Sequence, residues 1–201
     1  MTDEAAQHMA KMAKRKALQD AEVAGKPILA KGLLMVFTGP GKGKSTAAFG
    51  LAMRAVGRGH RVGVVQFIKG AWEAGERIAL DRFADLITWR TMGEGFTWET
   101  QDRQRDIAAA RAGWAAALDM MANPAIRLLI LDELNIALRY EYLPLAEVVD
   151  ALKVRRADLH VVVTGRNAKA DLIEAADLVT EMTLIKHHFA AGVRAQEGIE
   201  F

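Results

Sequence analysis

The clearest chemistry in the chain is carried by one stretch, Val36-Phe37-Thr38-Gly39-Pro40-Gly41-Lys42-Gly43-Lys44-Ser45-Thr46. Its glycines let backbone N–H groups turn inward around phosphate oxygens. The N-terminus of a following helix adds the positive end of its dipole. Lys44 can reach the outer phosphates, and the Ser45 hydroxyl can ligate a divalent cation. Gly39, Pro40, Gly41, Lys42, Gly43, Lys44, Ser45 and Thr46 are therefore the candidate phosphate-binding residues. The stretch departs from the common pattern at one place: Thr38 stands where the first glycine is expected. The competing account is an ordinary glycine-rich turn with surface lysines, but the flanking apolar run and the Lys-Ser pair argue for a nucleoside triphosphate site.

Other residue types that could act with this loop are scattered. Asp132 follows an apolar run, as a carboxylate that holds Mg²⁺ does, and Glu133 is next to it. Glu133 could polarise a water or complete the Mg²⁺ shell. Alternatively, both acids could cap the next helix. Arg166, just past a strand end, could pair with a phosphate or form a surface ion pair. Arg54 lies ten residues into the first helix after the loop, so its reach to a nucleotide is less direct. Phe96 and Trp98 sit in a glycine-bearing loop, where they either pin the loop to the core or offer an apolar platform to a large flat ligand. The adjacent His187 and His188 lack further spaced ligands, which favours a structural or solvent role.

These groups need elements to position them. Leu33–Thr38, Arg61–Ile68, Leu86–Met92, Arg127–Glu133, His160–Arg166 and Leu178–Lys186 read as strands, and most are almost continuously apolar, as a sheet covered on both faces requires. Helical patterns fall between them. One ends near Gly57. A short one spans Glu73–Phe83. Asp102–Met121 carries a stripe of Ile107, Trp114, Leu118 and Met121, and another follows Pro144 with Leu145, Val148, Val149 and Leu152. Asn167–Ala176 is the last. Strands alternating with helices predict an α/β architecture with a parallel sheet, whose ligands sit at the carboxyl ends of the strands. That rule gathers the loop, Gln66–Lys69, Phe96 and Trp98, Asp132-Glu133 and Thr164–Arg166 on one rim.

Composition narrows the class. With 201 residues, one domain is the natural prior. A formal charge of +2 is too small to argue for nucleic acid. The absence of cysteine excludes disulfides and thiolate metal sites. No apolar leader or membrane-length apolar run is visible, so cytoplasm is the simplest location. Residues 1–26 differ in composition and form an Ala-rich arm with a basic cluster at Lys11, Lys14, Arg15 and Lys16, either frayed or helical. Residues 27–201 would form the single P-loop domain.

Taken together, the segments resemble one family, the P-loop type of ATP:corrinoid adenosyltransferase, also called cob(I)yrinic acid a,c-diamide adenosyltransferase. The resemblance is carried by Val36 to Gly50, Arg54-Ala55-Val56-Gly57, Val62 to Gly70, Gly95-Phe96-Thr97-Trp98-Glu99-Thr100, Leu131-Asp132-Glu133-Leu134, Tyr142-Leu143-Pro144-Leu145, Thr164-Gly165-Arg166, Lys186-His187 and Ala191 to Gln196. It runs from about residue 30 to the C-terminus. Two departures are small: Ser45 where a Thr is common, and Pro40 where some relatives have Asn.

The resemblance implies a three-layer, RecA-like P-loop fold with a mostly parallel sheet. It also implies a reaction: a Co(I) corrinoid attacks the ribose 5′ carbon of ATP and expels the whole triphosphate, in adenosylcobalamin biosynthesis or salvage. Lys44, Glu133 and Arg166 would then be catalytic. Ser45, Asp132 and Glu133 would hold Mg²⁺ or Mn²⁺, Arg54 would join the loop in binding ATP, and Phe96 and Trp98 would face the corrinoid. A homodimer, a flavoprotein reductase as electron donor, and an N-terminal arm folded over an active site are further implications. The alternative is a small RecA-like NTPase or kinase acting on the γ-phosphate. A non-catalytic carrier, which binds without turnover, is the third reading.

Overall fold

The computed structural model describes residues 3–27, 31–68, 74–92 and 102–200. Six apolar segments form strands: β1 (Leu34–Thr38), β2 (Arg61–Gln66), β3 (Ile87–Thr91), β4 (Ile126–Asp132), β5 (His160–Thr164) and β6 (Leu178–Glu181). They make one sheet in the order β3-β2-β4-β5-β1-β6, and every pairing is parallel. Parallel neighbours need crossovers, and helices supply them. These are α2 (Lys44–Val56), α3 (Gly75–Leu80), α4 (Arg103–Ala122), α5 (Leu134–Arg139), α6 (Leu145–Lys153) and α7 (Ala170–Ala175).

The alternation of side chains along each strand divides the core in two. On one face Leu34 and Val36 of β1, Leu129 and Leu131 of β4 and Val161 and Val163 of β5 join Trp114, Val148, Val149 and Leu152. On the other, Met35, Phe37, Leu128, Ile130 and Val162 join Ala48, Phe49 and Ala52 of α2. The result is three layers. Phe49 stacks on Trp89 with ring centroids 5.1 Å apart, and Arg77 lies over the same indole.

The segment 1–30 forms its own unit. It contains helix α1 (Asp3–Ala24), none of whose residues is buried. An exposed i,i+4 pair, Lys16 with Asp20, lies on it, and Lys26 just past its end pairs back to Glu22. Among the described residues no helix is long and apolar enough to cross a membrane.

Several details differ from the sequence reading, among them strand ends at Gln66 and Thr164 in place of Ile68 and Arg166. The last strand stops at Glu181, well short of Lys186, because Met182 and Thr183 turn to meet the phosphate loop. β4 ends at Asp132, since Glu133 adopts a left-handed conformation at φ 59°. A short helix, α5, follows at once. The buried face of α4 is Ala110, Gly113, Trp114, Ala117, Met120 and Met121, whereas Leu118 is 38% exposed. Small residues let α4 approach closely: a Cβ on Gly113 would come within 3.1 Å of Phe67 and Met92.

Candidate active site

The loop between β1 and α2 is shaped by what lies against it. A Cβ on Gly39 would fall 2.5 Å from the Met182 carbonyl oxygen, and one on Gly41 2.6 Å from that of Thr183. Only glycine allows this approach. The Gly41 N–H donates to the Met182 carbonyl at 2.7 Å, and the Met182 N–H to the Thr38 carbonyl at 2.9 Å. Gly43, at φ 102°, precedes α2 without a side-chain cap, so the first amides of the helix face the loop. Lys44 is 6% exposed, and its ammonium donates to the Gly41 carbonyl at 2.5 Å. Burial pushes its pKa down, partly offset by Glu133. Lys42 turns outward, and its Nζ meets a Glu200 carboxylate oxygen at 2.7 Å.

Asp132, at the end of β4, is 2% exposed. One carboxylate oxygen accepts from the Thr164 hydroxyl at 2.8 Å, and the other from the Gln66 amide at 3.3 Å. The Ser45 side chain is a further hydrogen-bond partner. Burial raises the pKa of Asp132 and these three hydrogen bonds lower it. The Thr164 hydroxyl also accepts from the Glu133 N–H at 2.9 Å, so one side chain fixes both acids. Glu133 has its pKa pushed up to about 7, first by burial and then by the charge of Asp132, against the attraction of Lys44 and Arg166. Neither acid caps α5: Glu133 occupies the cap position without a side-chain bond to it.

Lys44, Glu133 and Arg166 thus form one electrostatic group, with Ser45 and Asp132 beside it. Arg54 lies in the last turn of α2 and is exposed, about 15 Å along the helix axis from Lys44 at 1.5 Å per residue. The fold does not bring it to the loop. Phe96, Trp98 and Lys69 lie outside the described residues. His187 and His188 stack on each other at 4.6 Å. The first accepts from the Phe189 N–H, and the second contacts Glu200 at 3.2 Å.

Among the described residues, no group of three or more His, Asp or Glu side chains could hold a metal by itself. The set that does exist, a hydroxyl at Ser45 and carboxylates at Asp132 and Glu133, consists of hard oxygen donors. Mg²⁺ uses one or two carboxylates together with substrate phosphates, so the donor chemistry fits. Sequence reasoning placed Gln66 and Thr164 on the rim without assigning them a partner. Their partners lie far away in the sequence, and a hydroxyl or amide at a strand end carries no signal of its own.

The sheet, the loop and the buried strand-end carboxylate define a three-layer P-loop fold. Within that class the chain belongs to the ATP:corrinoid adenosyltransferase BtuR/CobO/CobP family, whose model matches residues 30–201. It is 53% identical over 194 residues to a corrinoid adenosyltransferase of Pseudomonas aeruginosa, covering 96% of this chain and 95% of that protein. A corrinoid adenosyltransferase of Sinorhizobium sp is also 53% identical, over 98% of this chain and 92% of the relative. Corrinoid adenosyltransferase CobA of Salmonella typhimurium is 49% identical over 171 residues, 85% of this chain and 86% of the relative.

Proposed function

We propose that this protein transfers the 5′-deoxyadenosyl group of ATP to the Co(I) centre of a reduced corrinoid and releases tripolyphosphate, within adenosylcobalamin biosynthesis or salvage. The observation that carries this reading is the span of the family match. Residues 30–201 include the phosphate loop, Asp132-Glu133 and Thr164–Arg166, which are the segments the fold gathers on one rim.

In this reading the loop holds a leaving group. Cobalt attacks carbon, the Co–C bond forms, and the bond to the triphosphate oxygen breaks with its electron pair leaving on the triphosphate. No water is activated. Lys44, the amides at the start of α2 and Arg166 then face the charge that develops, and preorganised donors of this kind lower a barrier most where water is excluded. Mg²⁺, held by Ser45, Asp132 and Glu133, would supply further charge neutralisation. Thr164 and Gln66 keep the Asp132 oxygens oriented. Phe96 and Trp98 take the corrinoid side, and Arg54 is the weakest of the proposed ATP contacts because of its distance along α2.

We further infer a homodimer, an N-terminal arm (1–26) and a catalytic domain over 27–201, a flavoprotein reductase as electron source, and a cytoplasmic setting. Product analysis tests the central claim. ATP and a chemically reduced corrinoid under anaerobic conditions should give tripolyphosphate and a light-sensitive adenosyl-corrinoid spectrum. ADP and phosphate as the only nucleotide-derived products would overturn it. They would favour an NTPase or kinase with Glu133, whose pKa is near 7, as the general base.

A further inference from the structure

We propose that Thr38 is a positioning residue for the transfer reaction, holding the turn that carries Arg166 against the phosphate loop. The inference rests on the role given to Arg166 above. Thr38 occupies the place where the common loop pattern has glycine, and a glycine could not do what it does here. It is 7% exposed, and its hydroxyl oxygen accepts from the Ala168 N–H at 3.0 Å across 130 positions of sequence.

The turn after β5 has three anchors. The Gly165 N–H donates to the Phe37 carbonyl at 3.2 Å. The Gly165 carbonyl accepts from the buried Asn135 side-chain amide at 2.9 Å. The Ala168 N–H donates to Thr38. Gly165 itself has φ 122°, and a Cβ there would lie 2.9 Å from that of Asn135 and 3.0 Å from a Glu133 carboxylate oxygen. The first two anchors fix Gly165, on the N-terminal side of Arg166. Thr38 fixes the C-terminal side. Asn167, between them, is left-handed at φ 57°, a conformation that persists only when its surroundings hold it. Arg166 is therefore the suspended residue of a clamped turn. Its guanidinium acts on both Lys44 and Glu133.

Thr38 closes the clamp from the strand that leads into the phosphate loop. The same residue accepts the Met182 N–H through its carbonyl. Entry to the loop, the Arg166 turn and the segment after β6 are thus joined at one position.

The test compares Thr38→Val, which keeps the branched shape, with Thr38→Ser, which keeps the hydroxyl. The Thr38→Val protein should lose about tenfold in kcat for adenosyl transfer with the KM for ATP changed less than about twofold, because Arg166 acts on charge that develops only as the bond breaks. Thr38→Ser should stay within about twofold of the parent. In an Arg166→Ala background, Thr38→Val should cause no further loss. Amide hydrogen exchange at Ala168 should be slow in the parent and in Thr38→Ser, and faster by tenfold or more in Thr38→Val. The parent measurement needs no variant to fold. A free-exchanging Ala168 amide in the parent, an unchanged kcat in Thr38→Val, or a full additional loss in the Arg166→Ala background would each overturn the proposal. If Arg166→Ala is slow and Thr38→Val is normal, only the positioning role falls. If Arg166→Ala turns over normally, the role assigned to Arg166 falls first and this inference with it.

Discussion

The phosphate loop has two flanks, and they hold it in different ways. On the β5 side, beside the backbone bond from Gly165 to Phe37, the contacts are side-chain hydrogen bonds. Thr164 bridges Asp132 and Glu133, Asn135 holds Gly165, and Thr38 holds Ala168. Most of these groups are buried, where a lost partner costs far more than an exposed one. On the β6 side the contacts are backbone against backbone, at Gly39 and Gly41 with Met182 and Thr183, and one half-exposed ion pair, Lys42 with Glu200. The difference separates positioning by bonds from positioning by shape. Groups that must be aimed sit on the first flank, and the second keeps the loop's outline.

Mutations can break or sharpen this contrast. Lys44→Ala should have the largest effect, at least a hundredfold loss in adenosyl transfer (about 2.7 kcal/mol or more), measured as the rate of adenosyl-corrinoid formation; near-parental rates would remove its phosphate role.

Glu133 gives a pH signature. Its pKa is raised from 4.5 to about 7 on folding, so the folded protein holds the proton more tightly than the unfolded chain. The cost of ionising it is absent below about pH 4.5 and complete above about pH 7. The stability of the metal-free parent against denaturation should therefore fall over that window relative to Glu133→Gln, by up to about 3 kcal/mol. A parent and variant that titrate in parallel would contradict the buried setting.

Thr164→Val should destabilise by about 2 kcal/mol in urea denaturation, since it strips a donor from buried Asp132 and an acceptor from the Glu133 amide. On the other flank, Gly41→Ala should cost about 1–2 kcal/mol, because its new methyl meets backbone that cannot swing away. Glu200→Gln should be the smallest, about 0.5 kcal/mol or less and fading further with added salt. A larger loss from Glu200→Gln than from Thr164→Val would reverse the comparison.

Much of this was legible in the sequence because it depends on local pattern. The Val-, Ile- and Leu-rich runs of β1, β2, β4 and β5 can satisfy their surfaces only inside a covered sheet, and Gly43-Lys44-Ser45 opens a helix wherever such a strand precedes it. The stripe Val148, Val149, Leu152 is buried as its spacing requires. What was not legible depends on distant partners. Large apolar residues set the predicted face of α4, yet its real face is chosen by how near Phe67 and Met92 come, which favours Ala and Gly. The predicted extension of the last strand to Lys186 failed because Met182 spends its amide and carbonyl on the loop. Thr38 looked like a missing glycine, and its hydroxyl finds its use 130 positions later.

The strand order has a consequence for how the molecule is made. β1 lies early in the chain, yet it pairs only with β5 and β6, Leu34 beside Val161 and Met35 beside Leu178. Loops that long are slow to close and must close before their contacts stabilise anything. A chain emerging from the ribosome N-terminus first shows its phosphate loop long before the strands that give it shape exist. The shape of the loop therefore waits on β5 and β6, the strands that flank β1 and lie far along the chain.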